Sequence, residues 1–183
     1  MTRIVGDRVT LRGFRPGEVD ELLSISEAWP ADDGIHWGSR DRDELRRKVE
    51  ASGTWTDVAA LDMAIEADGR LVGEIQARQP RGGLPPGVFE LGIEIFAGAD
   101  RREGLGTAAI RSMVSHLFEQ EQAHRVQLST DIDNEGMRRC AENVGFICEG
   151  VNRSFMPTSN GPRDYAMFGM TRGDFEEVRT RWT

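Results

Sequence analysis

The chain has 183 residues, a formal net charge of −8, 38% hydrophobic and 30% charged residues, which suits one globular domain over 1–183. The acidity argues against a nucleic-acid partner, which would want a basic face, and no run approaches the length of a membrane span. Residues 1–7 lack the apolar core of a signal peptide. Two cysteines, Cys140 and Cys148, make no disulfide framework and fit a reducing cytoplasm.

Val9 to Arg12 reads as a short first strand. Pro16 opens a helix, where its missing N–H costs nothing, and Val19, Leu22 and Leu23 give it an apolar side to about Ala28. Trp29 to Ser39 is a loop. Asp41 and Glu44 stand as a cap and its reciprocal partner for a second helix ending near Ser52. Leu61–Glu66 and Leu71–Ala77 are strands joined by a hairpin turn at residues 67–70. A loop rich in proline and glycine, 79–87, leads to a strand over 89–96. After a glycine loop, Leu105, Ala109, Ile110, Met113, Val114, Leu117 and Phe118 recur at helical spacing to about Gln120. Residues 125–130 alternate as a strand. A helix from about Glu135 carries Met137, Cys140, Ala141 and Val144 inward and stops at Gly145. Strands at about 147–156 and 164–170 flank the turn at 159–162, and 174–182 forms a last short helix. The order is β-α-α-β-β-β-α-β-α-β-β, an antiparallel meander followed by a right-handed crossover between two parallel strands.

The most informative stretch is Arg101-Arg102-Glu103-Gly104-Leu105-Gly106, between a strand and a helix. The first N–H groups of a helix lack internal partners and face the positive end of its dipole, so such a turn holds phosphate. Residues 104–109 also satisfy the dinucleotide pattern G-x-G-x-x-A, with Asp131 near the place of a ribose-binding acid. Three features reject that reading. Residues 97–103 separate the glycines from their strand, a hairpin precedes them, and the chain closes in another hairpin rather than a third parallel strand.

The same context resembles the GNAT (GCN5-related) N-acetyltransferases, whose acyl-CoA motif Gln/Arg-x-x-Gly-x-Gly/Ala is matched by Arg101, Gly104 and Gly106. Asp131-x-x-Asn134, residues 142–146, Glu149-Gly150, Arg153 and residues 7–12 extend the resemblance toward the branch that includes ribosomal-protein alanine N-acetyltransferases. The match is strong over 89–150 and loose over 29–87, where that family builds its acceptor pocket. The implied fold is α/β: a mixed, mostly antiparallel sheet of about six to seven strands, helices on both faces, and a parallel pair, 89–96 and 125–130, that splays apart. The implied cosubstrate is acetyl-CoA, with no metal. Its diphosphate would lie on the amides of Arg101, Arg102, Glu103, Gly104, Leu105, Gly106 and Thr107. Its pantetheine arm would lie along Ile95, Phe96 and Ala97, with Asn134 bonding it or simply capping a helix. The implied partners are an amine acceptor and, as in many members, a second copy of the chain.

Acyl transfer to an amine requires that a protonated amine lose a proton, and a carboxylate base typically contributes about 10²–10⁴-fold. Glu90 and Glu94 share one face of their strand, two residues either side of Gly92. Glu90 occupies the family's base position and Glu94 lies nearer the splay. The tyrosine that many members use to protonate the leaving thiolate is replaced by Ala141, or by Cys140 if the register slips. The one tyrosine, Tyr165, is on a late strand, and Met137 stands where the family has a small residue. Trp29, His36 and Trp37 form a candidate acceptor wall suited to a cationic amine. A protein N-terminus, a polyamine or an aminoglycoside fits this chemistry, and so does a binding module that no longer transfers.

Overall fold

The computed structural model describes residues 1–28, 40–79 and 83–182. Its strands are β1 (Ile4–Val5), β2 (Thr10–Arg12), β3 (Ala60–Ala67), β4 (Arg70–Arg78), β5 (Val88–Ile95), β6 (Arg125–Asp131), β7 (Ile147–Met156) and β8 (Arg163–Thr171). Its α-helices are α1 (Val19–Ala28), α2 (Arg42–Ala51), α3 (Leu105–Glu119), α4 (Glu135–Val144) and α5 (Arg172–Val178). The strands form one sheet in the order β1-β2-β3-β4-β5-β6-β8-β7. Every neighbouring pair is antiparallel except β5–β6. Eight strands replace the six or seven expected. The addition is β1, whose two residues are too few to show an alternating pattern and which pairs back onto β2.

Seven apolar positions of α3, from Leu105 to Phe118, are all buried, as their spacing requires. They pack with Phe89 and Leu91 of β5, Val126 and Leu128 of β6, Ala141 and Val144 of α4, and Phe175 of α5 on the inner face of the sheet. Phe118 stacks on Phe175 at 4.7 Å between ring centroids. The outer face is covered at its β2–β4 end by a second cluster. Phe14, Val19, Leu22, Leu45 and Val49 there seat α1 and α2 on Ala64 of β3. Pro16 opens a 3-10 turn, Pro16–Glu18, that runs into α1. Asp41 caps α2 through the amides of Asp43 and Glu44. Gly145, at φ 104°, ends α4 in the left-handed conformation that glycine adopts most cheaply.

A buried ion network fastens the first turn to the sheet. Arg12 of β2 donates from Nη2 to Glu18 Oε1 at 2.6 Å and from Nε to Glu66 Oε2 at 2.8 Å. The Arg15 backbone N–H adds a bond to Glu18 at 2.7 Å. Burial alone would push the Glu18 carboxyl up, but Arg12 and the Arg15 amide outweigh it and hold it below the ordinary carboxylate range. Hydrogen bonding from Arg12 lowers Glu66 in the same direction. Both carboxyls therefore contribute stability that is full above their unfolded pKa, about 4.3. That contribution is lost as pH falls through their lower folded values. Arg12→Met leaves Glu18 and Glu66 with the half-exposed Arg15 as their remaining cation and should cost about 3 kcal/mol at neutral pH. The gap from the parent chain, read by urea denaturation, should shrink steadily below about pH 4. A gap independent of pH would show that the network does not carry this stability.

Candidate functional site at the fork between β5 and β6

Strands β5 and β6 pair only from Val88↔Arg125 to Leu91↔Leu128. β5 then continues with β4 as far as Ile95↔Gly73, and β6 continues with β8 as far as Asp131↔Tyr165. Gly92–Ile95 and Ser129–Asp131 thus run without each other as partners, and the sheet opens into a fork. The Phe96 amide donates to Val72 of β4, so alternation directs the N–H and C=O of Ile95 toward the opening. Arg101 Nε donates to the Ile95 carbonyl there at 3.0 Å.

The fork opens toward the start of α3. A 3-10 turn, Gly98–Asp100, leads through Arg101 into the glycine loop. Arg102 at φ 69° and Gly104 at φ 78° bend the backbone into the left-handed region. Gly104 is the N-cap of α3, and a Cβ there would stand 2.8 Å from Arg8 Nη1. Arg8, on the β1–β2 turn, donates to the Glu103 carbonyl at 2.5 Å and steadies the loop. The amides of Arg102, Glu103, Gly104, Leu105, Gly106 and Thr107 make no hydrogen bond among the described residues. Buried or not, such donors seek acceptors, and here they lie together at the positive end of a fifteen-residue helix. A Cβ at Gly106 would meet Ile95, Ile93 and Cys140 only at 3.8–4.0 Å, ordinary contact, so the protein's own packing does not demand glycine there.

Helix α4 closes one side. Asn134 accepts from the Met137 amide at 3.1 Å and caps it. Cys140 lies 3.2 Å from Thr107 Oγ1 in the first turn of α3. Burial pushes the Cys140 thiol up, against the needs of a nucleophile. Ala141 is fully buried and offers no side-chain acid.

On the outer face, Glu90, Gly92 and Glu94 stand on β5 beside Arg78, Gln76 and Glu74 of β4. Glu90 is bound to Arg78 at 2.7 Å. Lys48 of α2 reaches Glu74 at 2.5 Å, and Gln76 Nε2 donates to Asp62 of β3 at 2.5 Å. Between them opens a cleft of about 180 Å³ lined by Lys48, Asp62, Glu74, Gln76, Arg78, Gly92, Ile93 and Glu94. Of the two candidate carboxylates, Glu94 lines this cleft, whereas Glu90 stands behind its Arg78 partner. The sequence analysis missed Arg8, Lys48, Asp62, Glu74, Gln76 and Arg78. Alternation in β4 put Glu74, Gln76 and Arg78 on one face, but only pairing with β5 shows which face. Trp29, His36 and Trp37 lie outside the described residues. A broader hollow of about 420 Å³ beside the Pro16–Glu18 turn is lined by Arg15, Glu18, Glu21 and Arg70, and belongs with the ion network rather than the fork.

The two thiols should separate cleanly toward a disulfide reagent. Cys148 is exposed on β7 and should react quickly, while Cys140, half-buried, should react at least about tenfold more slowly. Cys148→Ser should delete the fast phase alone. Loss of the slow phase instead would contradict the packing of α4 against α3.

Residues 8–147 match the Acetyltransferase (GNAT) domain family. The chain is 27% identical over 74 residues to the putative ribosomal N-acetyltransferase YdaF of Bacillus subtilis, 40% of each chain. It is 28% identical over 144 residues to the mycothiol acetyltransferase of Salinispora tropica, 76% of this chain and 45% of that one. These stretches cover less than half the length of either relative. Mycobacterium smegmatis RimJ, solved in complex with CoA-disulfide, superposes with a TM-score of 0.77 at 20% identity, over 100% of this chain and 98% of that one. The chain belongs to the GNAT acetyltransferase family.

Proposed function

We propose that this protein transfers an acetyl group from acetyl-CoA to a primary amine, by direct attack while both substrates are bound. The observation that carries the reading is the fork, a stretch of unpaired β edge leading to the unbonded amides of residues 102–107. An extended amide-bearing arm ending in a diphosphate has the chemistry to satisfy both. The residues fit such a group: Gly106 leaves ordinary clearance in front of the helix, and Arg101 and Arg102 add positive charge at the loop. Acetyl-CoA, when bound, supplies the activated thioester.

In this reading, Ile95 and Ala97 present backbone to the pantetheine arm, Phe96 between them turns its amide to Val72 of β4, and Asn134 keeps its side-chain N–H₂ for the same arm while its oxygen caps α4. The amides from Arg102 to Thr107 hold the diphosphate, with Glu103 serving through its backbone, and Arg101, whose amide is bonded to the Gly98 carbonyl, serves through its side-chain charge. A backbone N–H on the unpaired edge of β5 is the donor for charge building on the thioester oxygen. Glu94, in the cleft, takes the proton from the acceptor amine, directly or through water, and Glu90 keeps Arg78 in place. The place of Glu94 on the cleft lining supports this choice over Glu90, which the resemblance had put in the base position. With Ala141 in α4, the departing thiolate takes its proton from solvent.

The names of the relatives support two acceptor classes, a ribosomal-protein amine and a small-molecule amine. Trp29, His36 and Trp37 are kept as candidate acceptor-binding residues in this proposal, and a homodimer in the cytoplasm is its setting. A second reading, acyl-CoA binding without transfer, is favoured by Ala141 in place of a tyrosine and by Met137.

Gly106→Leu should weaken CoA binding at least about tenfold by calorimetry, because the side chain stands where the diphosphate approaches. Unchanged affinity would contradict the loop assignment. Glu94→Gln should lower amine acetylation by about 10²–10⁴-fold, most severely at low pH where free amine is scarce. Glu90→Gln should lose less. A Glu94→Gln profile that overlays the parent across pH would remove Glu94 from the role of base.

A further inference from the structure

Asp131 is the only acid of β6, and the transfer reading gives it no part. Its side chain is 9% exposed, deep for a carboxylate, and both of its oxygens are engaged. Oδ2 lies 2.8 Å from Arg163 Nε, and Oδ1 accepts the Asp133 amide at 2.8 Å. The Asp131 carbonyl accepts the Asn134 amide at 2.9 Å, so residues 131–134 close into a tight turn. The Arg163 guanidinium spans that turn, since Nη2 also donates to Asp133 Oδ2 at 3.0 Å. A planar guanidinium that binds two carboxylates holds them at a fixed separation, which a flexible ammonium does not.

The residues after Arg163 grip the same turn. The Asp164 carbonyl accepts the Ile132 amide at 3.0 Å, and Tyr165 pairs with Asp131 in the β6–β8 register. The Asp164 carboxylate accepts the Ser154 amide at 2.7 Å, where Ser154 takes a φ of 52° and the β7–β8 register shifts. The start of β8 is thus tied on one side to an irregular stretch of β7 and on the other to the turn before α4. At the wide end of the fork β5 no longer pairs with Ser129–Asp131, and β8 is the neighbour that holds β6 there. What the turn delivers is Asn134. Its oxygen is committed to the Met137 amide, so the direction of its N–H₂ follows from where the turn puts its backbone. The pair from Arg163 to Asp133 is exposed and adds little to stability. Its contribution is to position.

We infer that Arg163 is a positioning residue for the donor: by clasping Asp131 and Asp133 it fixes the β6 side of the fork and aims Asn134 at the pantetheine arm. This rests on the donor placement proposed above and adds to it a residue from the last strand of the chain, outside the glycine loop.

The test is calorimetric CoA affinity of the full chain in the parent, Arg163→Met, Arg163→Lys, Asn134→Ser and the double variant of Arg163→Met with Asn134→Ser. Serine keeps a capping oxygen for α4 and lacks the N–H₂. Kd should rise about tenfold in Arg163→Met and in Asn134→Ser, the scale of a contact group released from its support. Arg163→Lys should fall between the parent and Arg163→Met, because an ammonium engages one acid at a time. The double variant should bind within about threefold of the weaker single variant, whereas independent effects would multiply to about a hundredfold. A merely structural role would lower thermal stability without this coupling. Full CoA affinity in Arg163→Met, or single effects that multiply, would overturn the clasp and leave the transfer reading standing. Coupled losses support the clasp, and failure of the same protein to acetylate propylamine or a peptide with a free N-terminus would then count against the transfer reading alone. If the parent binds no CoA, both fail.

Discussion

The parting of β5 from β6 after Leu91 and Leu128 is the constraint on which the rest of the molecule depends. Each strand is claimed by another neighbour beyond that point, β5 by β4 and β6 by β8. Strands in a twisted sheet rotate relative to one another, so two strands held by different partners diverge unless they also hold each other. The inner face secures the divergence. Leu105, Ala109 and Ile110 of α3 share one core cluster with Phe89 and Leu91 of β5 and Val126 and Leu128 of β6, and Ile93, Ile95, Met137 and Cys140 pack against it. Backbone groups on the two open edges are left without each other as sheet partners, which a fold tolerates where water or a ligand can satisfy them.

Helix α3 ties the fork to its second half. The crossover that joins β5 to β6 places its N-terminus at the wide end of the fork, and the left-handed turn through Arg102 and Gly104 keeps the first amides uncovered. Arg8 and Arg101 bind loop and strand carbonyls and so hold the shape without occupying those amides. The outer face is built separately. The Arg12, Glu18 and Glu66 network and the Phe14 cluster seat α1 and α2 over β3, and Lys48 of α2 then overhangs the cleft through Glu74. The glycine loop and the cleft therefore draw on opposite faces of the sheet.

Local chemistry was legible in the residues; long-range pairing was not. The seven inward positions of α3, the β3–β4 hairpin, the Asp41 cap and the Gly145 stop all follow from period, turn type or capping rules that act within a few residues. The glycine loop was legible because a left-handed turn that leaves the first helix amides uncovered is itself a local feature. The two-residue β1 carries no period. The bond from Arg78 to Glu90 and that from Arg12 to Glu66 join positions 12 and 54 apart, and nothing in the sequence nearby marks them. The engagement of Glu90 with Arg78 shows only once β4 and β5 are side by side.

Amide hydrogen exchange, measured with and without CoA, tests the central claim most directly. If the fork and loop hold the cosubstrate, CoA should slow exchange at Gly104, Leu105, Gly106 and Thr107 and at Ile93 and Ile95 on the open edge of β5. Amides of β3, already paired in the sheet, should change little. Binding of CoA with no added protection at the loop or on that edge would contradict the account.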